Sequence, residues 1–181
     1  AGTDWYMWLD GLKKCKKYKN ILLINDSLLL GINGIENMRK SIYTMRNKNF
    51  DLWGHWSSTQ VTYHYVGTPI EIKQRVRNDL IIFIKERISK CFNNMDYITK
   101  IETKMIEYLK KKNYTTGVII EEKYILRDFK KHKFVCPSHN PSLLNFWIYN
   151  KNAFAVKWKY ILPHLLFENI KNPFFNYLLK Y

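Results

Sequence analysis

The sequence predicts an α/β fold, a mostly parallel sheet flanked by helices. Three observations carry that prediction. The aliphatic run Ile21-Leu22-Leu23-Ile24 enters Asn25-Asp26-Ser27, and such a run bounded by a turn signal reads as a strand buried on both faces. Residues 4–54 alternate helix, strand, helix, strand, the pattern of a sheet layered with helices. Residues 70–90 repeat apolar side chains at helical spacing. With 181 residues, one domain spanning 1–181 with a sizeable core is expected.

Each element has its own signal. Trp5, Trp8, Leu9 and Leu12 share a helical face over 4–18, with Asp4 as N-cap and lysines in the last turn. The strand at 21–25 follows. Leu28 to Gly34 reads as a loop, whose two glycines permit unusual backbone angles. Ile35, Met38, Ile42 and Met45 mark a second helix, and Phe50-Asp51-Leu52-Trp53-Gly54 a short strand. Residues 59–66 are β-branched and aromatic, as strands prefer. Gly67-Thr68-Pro69 breaks the pattern. Ile72, Val76, Leu80, Ile84 and Ile88 then give a long amphipathic helix over 70–90, and Ile98, Ile101, Met105 and Leu109 another to about Lys112. A turn over 113–117 leads to a strand over 118–126. Residues 128–142 read as loop, broken by Pro137 and Pro141. Two short helical pieces are expected around 142–149 and 155–170.

Composition narrows the class. The chain is 46% apolar and 16% aromatic, which is globular rather than disordered. No run approaches the ~18–20 apolar residues of a membrane span, and no signal peptide opens the sequence. It begins Ala1-Gly2-Thr3-Asp4, so the expectation is a chain that starts inside a longer protein. Cys15, Cys91 and Cys136 are widely spaced, without a C-x-x-C pair. That disfavours a disulfide framework or a zinc site and fits a reducing, cytoplasmic setting. The net charge is +15, and nucleic acid or an anionic membrane surface would account for it. Yet 24 of the 30 basic residues are Lys, whereas binders that read phosphates or bases favour Arg. With Asn, Ile and Tyr also abundant, AT-rich codon bias is the favoured cause of the charge.

The chemistry-bearing residues are sparse. The histidines at 55, 64, 132, 139 and 164 include no i,i+4 metal-ligand pair. No nucleophile elbow, P-loop or dinucleotide fingerprint is present. Glu121-Glu122-Lys123 matches an acidic-x-Lys nuclease pattern only in part, with no convincing acidic residue before it. Asn25-Asp26-Ser27 is better placed. At the carboxyl end of a strand in an open α/β sheet, a carboxylate flanked by an amide and a hydroxyl can bind a divalent cation or a sugar hydroxyl. An Asx turn that only ends the strand is the competing reading.

Taken in order, several motifs resemble one family. Gly2-Thr3-Asp4 with Trp8 and Gly11-Leu12 resembles a "G-x-D … W … G-L" opening, and Ile21 to Ser27 resembles "I-L-L-N-D-S". Met45 with Asp51-Leu52-Trp53-Gly54 resembles "M … D-F-W-G", and His64 after Tyr63 the His of "H-L-Q-S-Y". Glu102 after Tyr97-Ile98, continued by Tyr108-Leu109, resembles "Y-E-x-x-L-T". Asn140-Pro141-Ser142 with Phe146-Trp147 resembles "N-P-T … L-W", Phe154-Ala155-Val156-Lys157 "P-F-I-K", and Asn172-Pro173 the usual close. The family is that of rhamnan synthesis protein F, glycosyltransferases of cell-wall and capsular polysaccharide assembly. Tyr65-Val66 departs from the Gln-Ser that follows the family's His.

The resemblance implies a GT-A-like sheet lacking its N-terminal βα units, which would hold much of the nucleotide. It implies transfer of a sugar, rhamnose among the options, from a nucleotide-sugar donor to a growing glycan acceptor. Asp26 would contact the donor or a divalent cation (Mg or Mn), with Asp4, Asn25 and Ser27 beside it. Glu102 or His64 would be the base, and Lys157 the contact to the leaving diphosphate. The implied setting is cytoplasmic, with peripheral contact to the anionic inner face of the membrane and no specific nucleic acid. Ordinary roles compete: a solvated Glu102, a His64 satisfied by a carbonyl, one more surface Lys at 157, and core packing for Trp53 and Trp147. The rival function is a basic nucleic-acid- or membrane-surface-binding module without catalysis, which expects basic residues on one face with exposed aromatics.

Overall fold

A computed structural model describes residues 3–25, 28–30, 34–59, 62–65, 69–121 and 155–157. Helix α1 (Thr3–Lys14) turns Trp5, Leu9 and Leu12 inward, with Asp4 in its first turn and Lys13 and Lys14 in its last, charges that suit the helix dipole. Strands β1 (Asn20–Leu23) and β2 (Leu28–Leu30) precede helix α2 (Gly34–Asn47). Strand β3 (Leu52–Ser58), the two-residue β4 (His64–Tyr65) and β5 (Ile70–Lys73) lead directly into helix α3 (Gln74–Ile88). The short α4 (Asn94–Tyr97), a π-helical turn over Ile98–Glu102 and α5 (Thr103–Lys111) form one continuous helical stretch. Strand β6 (Thr116–Ile120) and the distant β7 (Ala155–Lys157) complete the described elements.

The sheet is mixed, not mostly parallel as the sequence predicted. Strand β5 pairs antiparallel with β1 on one side and with β3 on the other. Strand β4 pairs antiparallel with β3, and β6 pairs with β3 in parallel. The segments around 21–25 and 50–54 are therefore in one sheet but are not neighbours, because β5 stands between them. The cause lies in Ile70-Glu71-Ile72-Lys73. These residues alternate as a strand does, but Ile72 is also in helical step with Val76 and Leu80, so the strand is hidden in the apparent start of a helix.

Two further expectations change. Among the described residues β1 pairs only with β5, and only Leu23 of its four residues is buried. The aliphatic run is thus an edge strand, whereas β3 is buried along its whole length. The expected loop at 28–34 contains β2, and residues 155–157, expected to be helical, form β7, antiparallel to β2 in a separate two-stranded sheet. Of the strand expected over 59–66, only His64–Tyr65, β4, is strand among the described residues; Thr59, Thr62 and Tyr63 are not. The strand expected over 118–126 starts earlier, at Thr116, and the helical piece expected around 142–149 lies outside the described residues.

Direction nevertheless survives. Since β5 is antiparallel to both β1 and β3, those two strands run the same way, and β6 runs with them. The carboxyl ends of β1, β3 and β6 consequently share one edge of the sheet. One sheet face, with Leu23, Leu52, Ile70 and Ile72, packs into a core with Leu12 of α1, Leu80 and Ile84 of α3 and Met105 and Leu109 of α5. Pleat alternation turns Trp53 and Glu71 to the opposite face, where Arg46 of α2 meets Glu71, Nε to Oε1 at 2.8 Å.

Candidate functional site

The shared edge holds Asn25 and His64, two of the residues singled out from sequence. Beyond β1, Asn25 is half-buried; Asp26 and Ser27, the next two residues, lie outside the described ones. Strand β3 ends in Ser57 and Ser58, both buried, and β4 sets Tyr65 opposite Ser57 and His64 opposite Ser58. His64 is only 7% exposed, and its Nδ1 lies 2.7 Å from the Thr62 carbonyl oxygen. A carbonyl can only accept, so Nδ1 carries a proton. In the neutral ring Nε2 then keeps the lone pair that a base or ligand needs.

Glu102 reaches the same region through its neighbour. The Thr62 hydroxyl donates to the Thr103 carbonyl at 2.8 Å, tying the approach to β4 to the first residue of α5. Glu102, half-buried, closes the π-helical turn just before it. Asp4 stands at the same end of the molecule. Arg77, near the start of α3, donates to the carbonyls of Cys15 and Tyr18 just past α1. The two helices therefore run antiparallel, and the first turn of α1 lies where α3 finishes.

The most informative placement is that of Lys157. Strand β7 pairs with β2 so that Lys157 stands opposite Leu28, two residues after Asp26. A residue 131 positions along the chain is brought back to the strand that issues from Asn25-Asp26-Ser27. Sequence order alone gives no reason for that return.

Electrostatics separates framework from site. Burial pushes the Tyr65 phenol well above its ordinary range, with Tyr63 adding to the shift and a bond to Thr116 opposing it, so this hydroxyl stays neutral. Burial also raises the Cys91 thiol, against the pull of Lys100, and a thiol held protonated is a poor nucleophile. Asp96 is held low by Lys100 and by the backbone amides of Phe92 and Asn93; its role is to close the turn at the start of α4, where Asn93 is the cap. Among the described residues no group of three His, Cys, Asp or Glu is placed to hold a metal ion. A cation at this edge would depend on Asp26.

Sequence reasoning missed Ser57 and Ser58; Glu121, weighed there only as part of a nuclease pattern, follows β6 at the same edge. The signal was present in Trp56-Ser57-Ser58: hydroxyls continue a strand whose two faces are both covered, and buried polar groups are kept where they are bonded. Comparisons with protein-family models, with curated proteins and with solved structures return no significant match.

Proposed function

We propose that this chain is a GT-A-like glycosyltransferase, moving a sugar, rhamnose among the options, from a nucleotide-sugar donor to a hydroxyl of a growing cell-surface or capsular polysaccharide. The observation that carries the reading is the return of Lys157 to the strand following Asp26; separately, His64 and the Glu102 turn are tied together past the carboxyl end of β3.

The chemistry needs each of them. The acceptor hydroxyl loses its proton to Nε2 of His64 or to the Glu102 carboxylate as its oxygen bonds to the anomeric carbon. The bond from that carbon to the diphosphate breaks, and its electron pair leaves with the phosphate. Lys157 stabilises the departing charge, and Asp26 holds the donor, with Asp4, Asn25 and Ser27 as polar neighbours. A divalent cation (Mg or Mn) is a ligand to titrate at Asp26; no step is drawn through it. Such an enzyme works on the cytoplasmic side, against the anionic inner face of the membrane; among the described residues no helix is long and apolar enough to cross it.

The test is sugar transfer from a panel of nucleotide sugars to isolated cell-wall glycan. Asp26→Ala is expected to lower turnover on the order of 10²-fold or more, as removal of an electrostatic stabiliser does, with an unchanged circular dichroism spectrum. Full turnover in that variant would reduce Asn25-Asp26-Ser27 to a turn.

A further inference from the structure

Helix α2 packs through Met45, and the rest of its surface divides into an apolar and a polar part. Ile35 and Tyr43 point to solvent, 63% and 71% exposed, while Asn37, Ser41, Thr44 and Lys48 form a polar stripe at spacings of three and four. That stripe looks onto a groove of about 450 Å³ between α2 and β6, with Met45 and Ile119 as its apolar lining and Lys40 as a second cation. A helix packed on a sheet ordinarily turns its apolar stripe inward. Helix α2 does so through Met45, with Met38 and Ile42 half-buried, and its hydroxyls, amide and ammonium lie beside that face, lining a groove that is open among the described residues.

The groove adjoins the proposed reacting edge. In the ladder between β3 and β6, Gly54 faces Val118 and Trp56 faces Ile120, so Ile119 lies one residue from the end of β6. From there the groove follows α2 away from the edge. Lys40 and Lys48 are eight residues apart, about 12 Å along a helix. Lys40 is only loosely engaged, its Nζ 3.6 Å from Glu36, an exposed pair of little strength.

We infer that this groove binds an anionic saccharide, the acceptor glycan leading away from the reacting edge, with Lys40 and Lys48 meeting acidic groups on separate sugars. The identity as acceptor rests on the transfer reading; the binding does not. The chemistry fits a saccharide. Asn37, Ser41 and Thr44 match sugar hydroxyls, Met45 and Ile119 meet the C–H face of a ring, and the volume lies within the range of small-molecule clefts.

Met45 supplies a direct reporter. The chain has 5 Met residues, and protein carrying ¹³C-methyl methionine, with Met45→Leu to assign the signal, can be titrated with a hyaluronan tetrasaccharide as the anionic probe, with neutral maltotetraose and with inorganic phosphate. The expected result is a saturable shift of the Met45 methyl with hyaluronan alone, weakened roughly fivefold or more in the Lys40→Gln, Lys48→Gln double variant, since each exposed charge contact is modest. No shift at millimolar probe, an equal response to inorganic phosphate or an unchanged affinity in the double variant would overturn the inference. Asp26→Ala leaves this titration intact. If the titration holds while Asp26→Ala retains full transfer, the transfer mechanism fails and the groove stands; if the titration fails while Asp26→Ala abolishes transfer, the reverse follows.

Discussion

Asp51 and Gly54, the ends of the Asp-Leu-Trp-Gly segment, are both framework. Asp51 is buried, and its Oδ2 accepts from the Thr115 amide at 2.8 Å, the Thr115 hydroxyl at 2.9 Å and Arg75 at 2.9 Å. It thereby fixes the start of β6 against β3. Asp51→Ala takes that acceptor from the Thr115 amide and hydroxyl and from Arg75; Thr115 is exposed and water reaches it, so the expected loss is about 1–2 kcal/mol, read as a lower midpoint in urea at pH 7. A change under ~0.5 kcal/mol would mean that the bonds are replaceable by water. Gly54 is needed for space: a Cβ there would lie 2.6 Å from the Tyr65 ring, and that ring is buried. Gly54→Ala should cost about 1–3 kcal/mol by overpacking and shift the tyrosine near-ultraviolet signal; a variant with wild-type stability and spectrum would place the ring elsewhere. Both residues were visible in the sequence as a motif. Their roles were not, because the partners, Thr115 and Tyr65, come from other strands.

The helices were legible and the strands only in part, for a reason of length. Helices α3 and α5 each present several apolar residues at helical spacing, and the core uses those residues: Val76, Leu80 and Ile84, then Met105 and Leu109. A four-residue strand such as β5 offers too few residues to separate a period of two from a period of 3.6. The same brevity hid β7, and with it the register that returns Lys157 to β2. Packing between helices also has a pH-dependent clasp. Asp79 of α3 accepts from Lys112, just past α5, at 2.7 Å and from the Tyr114 hydroxyl at 2.7 Å. Lys112 first, then Tyr114, hold the Asp79 carboxyl below its ordinary range. A carboxyl lower in the folded than in the unfolded chain stabilises the fold above the unfolded value of about 4, and that contribution is lost as pH falls through the folded value. Both side chains of the ion pair are partly solvent-exposed, so screening keeps the effect small. Asp79→Asn should lower Tm slightly at pH 7 and flatten the fall of Tm below about pH 4. Parallel Tm–pH curves for the two proteins would show that the clasp does not titrate with folding.

At the scale of the whole molecule the candidate site was named from sequence and its assembly was not. Strand direction sets the carboxyl ends of β1 and β3, and with them Asn25 and Ser58 opposite His64, at one end of the sheet, and the β2–β7 pairing returns Lys157 to Leu28; no local pattern encodes either. Charge behaves differently, because the sequence states its sum and the structure its distribution. The net +15 makes general attraction to polyanions certain on electrostatic grounds. Sequence-specific reading is another matter, since it relies on Arg forks placed against base edges. Four of the five described arginines are already held. Arg46 pairs with Glu71 and Arg75 with Asp51, Arg77 donates to two carbonyls, and Arg87 bonds the Phe83 carbonyl and lies over its ring; Arg39, 3.9 Å from Glu36, is the loosely engaged exception. The described lysines are dispersed, at the end of α1, along α2 and in the last turn of α5. Nucleic-acid binding should therefore be weak and indifferent to sequence, with a Kd above about 1 μM near 150 mM salt and a steep decline as salt is raised. Fluorescence anisotropy with unrelated duplexes and single strands over a salt series measures this. Binding below ~0.1 μM at physiological salt that discriminates one sequence from another would require arginines freed from these partners, and would favour the nucleic-acid module over glycosyl transfer.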